Sequence, residues 1–166
     1  MANLLELTPV PATGVRATTR SKPGLLELDL DVTPEAVPIV RTIVRAHLTL
    51  WGLPGLIGNT TLAVTELLSN VLKHTQPIAS TGARSARLTI TRLTGVLSVC
   101  MRDFNPVLPK LSNEAGDAES GRGLQLVTAF ADDCGCSEFT GGKDVWANFL
   151  IRSQETSDSS QRRRAS

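Results

Sequence analysis

The sequence predicts a single α+β domain, a two-layer sandwich in which helices cover one face of a mainly antiparallel, mixed sheet. Segments that alternate apolar and polar residues are interspersed with segments of helical period. Their order is strand, two helices, two strands, long loop, helix and two strands, which favours helices packed on one side of the sheet. The chain has 166 residues, 41% of them apolar, which is enough for one buried core.

The bulk composition argues against several classes of protein. The formal net charge is +1 and aromatic residues make up 4% of the chain, so we expect no direct nucleic-acid binding. No apolar run approaches the roughly 20 residues that span a bilayer, and the N-terminus lacks the features of a secretory signal. We therefore expect a cytoplasmic protein that does not bind membranes.

The three cysteines are expected to be reduced, because their number is odd and nothing indicates export. Cys134 and Cys136 would point to one face of a strand, but no second pair or nearby histidine completes a zinc site. We predict that Cys100, Cys134 and Cys136 are packing thiols. A metal or redox role for the pair is the alternative.

Composition divides the chain into three parts. Residues 1–24 are rich in proline, glycine and threonine without a sustained period, which predicts a flexible leader. Residues 153–166 are polar and are predicted to be disordered. The basic run Arg162–Arg164 is either a docking or modification site or a solvated tail. The folded domain is predicted over 25–152.

The first half of this domain predicts one strand and two helices. Leucines alternate with acidic residues over 25–32, the pattern of a half-buried strand. Thr33 as N-cap and Pro34 at the first helical position mark the start of a helix that ends near Gly52. A second helix is predicted at about 56–75.

The next segment predicts a pair of strands and a functional loop. Residues 85–93 and 95–103 alternate, and Thr94–Gly95 is suited to a hairpin turn between them. The following stretch, 104–120, is too long for a simple connection and is typical of a binding loop.

Helical spacing returns over 122–133, after that loop. Residues 134–152 then predict two strands joined at a Gly141–Gly142 turn. These elements complete the predicted sandwich.

Three polar residues on the second predicted helix lie one turn apart: Glu66, Asn70 and His74. With about 100° of rotation per residue, they fall along one margin of the arc that leucines and valines fill. A carboxylate and a carboxamide placed there need a hydrogen-bonding or coordinating partner. A ligand in a cleft would supply one, whereas boundary residues of an ordinary amphipathic helix are the alternative. His74 suits the helix C-terminus, and we predict a structural role for it.

Two later features also suit a ligand site. Asp103 ends an apolar strand, where its carboxylate can accept a hydrogen bond from an amine such as adenine N6. Gly121 and Gly123 begin a helix, where bare N–H groups and the helix dipole favour phosphate. A turn or capping aspartate and a flexible loop end are the respective alternatives. With Glu66 and Asn70, these residues form the set that a nucleotide needs.

Four motifs together resemble the ATP-binding GHKL group, which includes histidine kinases and DNA gyrase, and most closely its anti-sigma factor serine kinase branch. "ELLSNVLKH" resembles the N box, "RDFNPVLP" the first glycine-box position and "GRGLQLV" the second glycine box. "GGKDVWANFLI" resembles the closing strands of stand-alone members. The resemblance covers about 25–152 and implies the Bergerat (GHKL) fold.

The resemblance implies a role for each matching residue. Asn70 would coordinate the magnesium that bridges the ATP phosphates, and Glu66 would be the general base for an attacking hydroxyl. Asp103 would bind the adenine amino group, and the loop over 104–120 would be the ATP lid. The remaining implied nucleotide-binding residues are Asn105, Gly121, Gly123 and Leu124.

The implied activity is ATP-dependent phosphorylation of a serine on an anti-sigma antagonist, with a sigma factor as the second protein partner. Family members often form homodimers, so a homodimer is compatible with the resemblance, and the sequence does not fix the oligomeric state. Asn105 replaces the usual glycine of the motif, which favours an alternative: a non-catalytic regulatory module with weak or no nucleotide binding. A detached histidine-kinase ATP domain is less favoured, because no helix pair with a phospho-accepting histidine precedes residue 25.

Overall fold

A computed structural model describes residues 16–80, 82–104 and 122–152, without the side chains of 122–125. Six strands and three helices lie in these ranges, together with a 3-10 turn at Pro54–Leu56. In chain order they are β1 (Ala17–Lys22), β2 (Leu25–Asp31), α1 (Ala36–Leu50), α2 (Ile57–His74), β3 (Ser85–Leu93), β4 (Val96–Asp103), α3 (Arg122–Phe130), β5 (Asp133–Phe139) and β6 (Gly142–Leu150).

The six strands form one sheet in the order β1-β2-β3-β4-β6-β5. Each of its five pairings is antiparallel, so the described sheet is antiparallel throughout, where the sequence predicted a mainly antiparallel, mixed one. Because β6 lies between β4 and β5, its first residues lie beside the last residues of β4. The α+β fold with its sheet and helices is confirmed.

The core lies between one face of the sheet and the helices. Alternate strand residues such as Leu28, Leu88 and Val99 are fully buried on this face. The apolar side of α2 meets them with Leu67 and Leu68, which are also buried. Burying each such side chain stabilises the fold by about 1.5–3 kcal/mol, which fixes the orientation of α2 against the sheet.

The start and end of α1 follow local signals in the sequence. The Ala36 N–H donates to both the carbonyl oxygen and Oγ1 of Thr33, at 3.1 and 3.2 Å, so Thr33 closes the turn that precedes the helix. The N-cap position itself is Glu35, not the predicted Thr33, and Glu35 makes no side-chain capping bond. Helical structure begins at Ala36, two residues after the predicted Pro34, because residues 34–35 form the capping turn. Gly52 follows the helix with φ of +70°, a conformation in which glycine carries no steric penalty.

Part of the predicted leader is a strand, which corrects the expectation for residues 1–24. Residues 17–22 form β1, which pairs along its whole length with β2. The small residues Ala17, Thr19 and Ser21 face the helices here, so no apolar stripe marked this edge strand. Ser21 Oγ lies 3.1 Å from His47 Nε2 on α1. The predictions for 1–15, for the loop over 105–120 and for the tail after Arg152 lie outside the described residues.

Candidate functional site

Glu66 and Asn70 lie on the margin of the buried side of α2. Both are half-buried, while their neighbours Leu67 and Val71 are buried. Within the described part of the chain, no hydrogen bond or ion pair reaches the Glu66 carboxylate or the Asn70 carboxamide. Two polar groups one helical turn apart are thus partly desolvated with open bonding capacity, as expected of ligand-binding side chains.

His74 is the last residue of α2 and is exposed. His74 already takes part in an interaction, so its side chain is not without a partner. A basic residue at this position also suits the helix dipole. The predicted structural role of His74 agrees with this placement.

The end of α2 is held at the end of the sheet where β3 begins and β4 finishes with Asp103. Arg84 Nε donates to the Thr75 carbonyl at 3.0 Å, which ties the end of α2 to the residue before β3. Ala86, at the start of β3, pairs directly with Asp103 at the end of β4. The fold therefore brings the C-terminal part of α2, which carries Asn70, to the same end of the molecule as Asp103.

Asp103 is on the helix-covered face and is paired with a lysine to which the family resemblance gives no role. It continues the buried series of Leu97, Val99 and Met101 and is itself 4% exposed. Lys143 lies opposite it on β6, with its Nζ 3.7 Å from Asp103 Oδ2. Both side chains are 6% exposed, so the pair is almost completely shielded from solvent.

A signal for Lys143 was present in the sequence. Lys143 is in phase with Val145, Ala147 and Phe149, which are all buried. A lysine in the apolar phase of a strand is almost never fully buried unless a negative partner accompanies it. Strand phase would therefore have predicted that Lys143 needs a negative partner, and Asp103, in the apolar phase of β4, is a candidate.

The second glycine motif is described only in part. α3 begins at Arg122, so Gly123 and Leu124 lie in its first turn, as predicted for a helix start. α3 packs beside α2. Asn105 and Gly121 lie outside the described residues, and their predicted nucleotide-binding roles are untested.

The chemistry of α2 suits magnesium held mainly by a nucleotide. Within the described ranges, no group of three or more histidine, cysteine, aspartate or glutamate side chains is arranged to hold a metal ion. Magnesium commonly takes only one or two protein ligands, and phosphates and waters complete its octahedron. A single unengaged carboxamide oxygen on Asn70 fits this mode of binding.

The opposite face of the sheet carries charged side chains that pair with one another across neighbouring strands. Arg87 and Asp29 form a bidentate pair there, with Arg87 Nε 2.6 Å from Asp29 Oδ1. Arg102 pairs in the same way with Asp144, at 2.8 Å for each bond, and its guanidinium lies 4.6 Å from the Phe139 ring centroid. A cavity of about 500 Å³ opens on this side, but none of Glu66, Asn70 and Asp103 lines it.

The cysteines are distributed over both faces. Cys134 and Cys136 share the helix-covered face of β5, as predicted, and the Cys134 thiol donates to Thr128 Oγ1 at 3.6 Å. Cys100 lies on the other face, where burial, and then the nearby Asp144 carboxylate, raises the pKa of its thiol to about 11. All three thiols are free.

None of the helices in the described residues is long and apolar enough to cross a membrane.

A comparison with known protein families covers the part of the chain that carries these residues. The model of the histidine kinase-like ATPase domain matches residues 30–149. This range runs from the end of β2 into β6 and includes Glu66, Asn70, Asp103 and Lys143. No curated protein gives a significant match to the chain.

Proposed function

The chain belongs to the histidine kinase-like ATPase domain family, and we propose that it is an ATP-binding regulator of the anti-sigma type. In this proposal it phosphorylates a serine of an antagonist protein in the cytoplasm and binds a sigma factor when that antagonist is absent. The observation that carries the proposal is the pair of Glu66 and Asn70 on α2, which no other described residue engages, at the same end of the sheet as Asp103. The "ELLSNVLKH" motif on α2 favours the anti-sigma branch.

Each residue has a defined task in this mechanism. The Asn70 carboxamide oxygen would hold magnesium, and the Asp103 carboxylate would accept a hydrogen bond from the exocyclic amine of the base. When bound, ATP would supply the γ-phosphoryl group and leave as ADP, and magnesium would neutralise the charge that develops. The Glu66 carboxylate orients the attacking seryl hydroxyl and accepts its proton.

The surroundings of Glu66 support a role as general base. A base must keep a lone pair available for the incoming proton, and no described residue occupies this carboxylate. Its half-buried position on α2 also limits competing hydration. An exposed glutamate such as Glu138 on β5 has only the first of these properties.

A second function is favoured by the other half of the site. Asp103 is already engaged by Lys143, and Asn105 stands where the resembling family has glycine. Both features favour a regulatory module that binds its protein partner with little or no nucleotide. A homodimer is compatible with either function.

Phosphoryl transfer from labelled ATP tests the first function against the second. The acceptor is the antagonist protein recovered with the full-length chain by pull-down, and magnesium is present. We expect the wild type to label a serine, and Glu66→Gln to lower the rate by about 10²–10⁴-fold because the proton acceptor is lost.

Glu138→Gln is the matched control, since it removes an exposed carboxylate and should leave the rate unchanged. Equal rates for wild type and Glu66→Gln would contradict the role of Glu66. No labelling by the wild type, in a complex verified to contain the acceptor, would favour the non-catalytic module.

A further inference from the structure

We propose that Lys143 gates the base subsite: its ammonium holds the Asp103 carboxylate in the empty protein, and a nucleotide base has to displace it. The proposal rests on the function above, in which Asp103 receives the base. It adds a residue to which the family resemblance gives no role, and it predicts that this residue lowers the affinity of the site for ATP.

The pair is located where an incoming base would have to bind. Lys143 Nζ is 3.7 Å from Asp103 Oδ2, and the two residues are direct partners in the pairing of β4 with β6. Only 6% of either side chain is exposed, so the carboxylate is closed to solvent and its Oδ2 atom already faces the ammonium. Binding therefore requires the ammonium to move.

The backbone beside the pair cannot make this movement. Gly142 immediately precedes Lys143, and a Cβ at Gly142 would collide with the Asp103 carbonyl oxygen and approach Phe104 Cα to 3.0 Å. The two strands are thus in close contact at this point, held by register pairs from Val96 to Asp103. The flexible four-carbon stem of Lys143 is the part that can rotate away.

The exchange of partners lowers the affinity for the base. Lys143 and Asp103 form an ion pair in a shielded site, so a neutral amine that displaces the ammonium gives up the attraction between two opposite charges and is the weaker partner. Without the ammonium, the Asp103 oxygen that faces Lys143 would lose this counter-charge, and the amine of a base would take its place. Removing the lysine charge should therefore tighten nucleotide binding.

Calorimetry with magnesium-ATP on the full chain tests the gate. We expect Lys143→Met to bind at least about tenfold more tightly than the wild type, and the added variant Asp103→Asn to abolish this gain. Lys143→Gln, whose neutral amide can still donate to Asp103, should preserve the fold and bind with intermediate affinity. A second readout is thermal stability, which magnesium-ATP should raise more in Lys143→Met than in the wild type.

Arg102→Met is the matched control, because it removes one positive charge from the adjacent pair on the same two strands. We expect it to leave the affinity within about twofold of the wild type. If magnesium-ATP binds the wild type as tightly as it binds Lys143→Met and Lys143→Gln, or more tightly, the gate is overturned while the proposed ATP site stands. If none of these proteins binds magnesium-ATP, both proposals are overturned.

Discussion

Two ion pairs join β4 to β6 at adjacent positions, one on each face of the sheet. Asp103 and Lys143 lie on the helix-covered face, with 6% of either side chain exposed. Arg102 and Asp144 lie on the opposite face of the sheet, here called the open face, with 44% and 20% of their side chains exposed. The two pairs share the same strands and differ in their access to water.

Access to water changes what a charge pair does for a protein. An exposed pair contributes about 0–1 kcal/mol, because water screens it and competes for its bonds. A buried pair has to offset a large desolvation penalty, so hydrophobic residues of similar volume are often as stable or more stable. The Asp103–Lys143 pair is therefore poorly explained by stability alone, whereas a role in ligand binding accounts for it.

The largest expected effect comes from removing one charge from each pair in turn. Lys143→Met should lower the free energy of unfolding by about 3–5 kcal/mol, because it leaves a buried carboxylate without its counter-charge. Arg102→Met should lower it by less than about 1 kcal/mol. Urea denaturation followed by circular dichroism measures both values, and similar losses for the two variants would contradict the distinction between the faces.

A smaller effect on stability is expected from substituting two glycines, Gly142 at the start of β6 and Gly135 on β5. A methyl group would meet backbone atoms at the first and a side chain at the second. Gly142→Ala should cost about 1–3 kcal/mol or more, because the new methyl group meets the Asp103 carbonyl oxygen, which is fixed by the sheet. Gly135→Ala meets only the half-exposed Trp146 ring, which can shift toward solvent, so a cost below about 1 kcal/mol is expected. Thermal melts of both variants check the order, and a larger loss for Gly135→Ala would contradict it.

The smallest effect on folding concerns Cys100, on the open face. Burial raises its pKa from the usual 9.0 to about 11, so the thiol is protonated at neutral pH. The unfolded chain loses this proton first, and the contribution of Cys100 to stability is full below pH 9 and falls as the pH rises toward 11.

Alkylation by iodoacetamide in a Cys134→Ser, Cys136→Ser background isolates this thiol. Its rate should be about a hundredfold below that of an unperturbed thiol at pH 8, because the thiolate is the nucleophile. The rate should then rise through about pH 11. A midpoint near pH 9 would contradict the shielding of Cys100 by the sheet.

The sequence predicted the helix that covers the sheet better than it predicted the edge strand β1 or the Asp103–Lys143 ion pair. The helical period placed Glu66 and Asn70 on the margin of α2, and both are half-buried there. The Thr94–Gly95 turn was also recognisable, because glycine is favoured where a turn requires a positive φ, and Gly95 adopts φ of +75°. A regular spacing of apolar residues predicts which side of a helix is buried, because burial of those side chains decides how the helix is oriented.

β1 and Lys143 could not be found by the same means. β1 carries small and charged residues, and its position depends on pairing with β2, a long-range property that its own residues do not encode. Lys143 lies within the "GGKDVWANFLI" motif, but the resemblance gives this position no role. Its pairing with Asp103 depends on β6 lying between β4 and β5, a topology that chain order alone does not reveal.

The most direct test of the account is magnesium-dependent ATP binding by the wild type, Asn70→Ala and the matched Ser69→Ala. The two variants alter neighbouring half-buried positions on α2, but only Asn70 belongs to the proposed site. We predict that the wild type and Ser69→Ala bind magnesium-ATP alike, and that Asn70→Ala loses at least about tenfold in affinity. Equal affinity for all three proteins, or none in any of them, would contradict a nucleotide site at Glu66, Asn70 and Asp103.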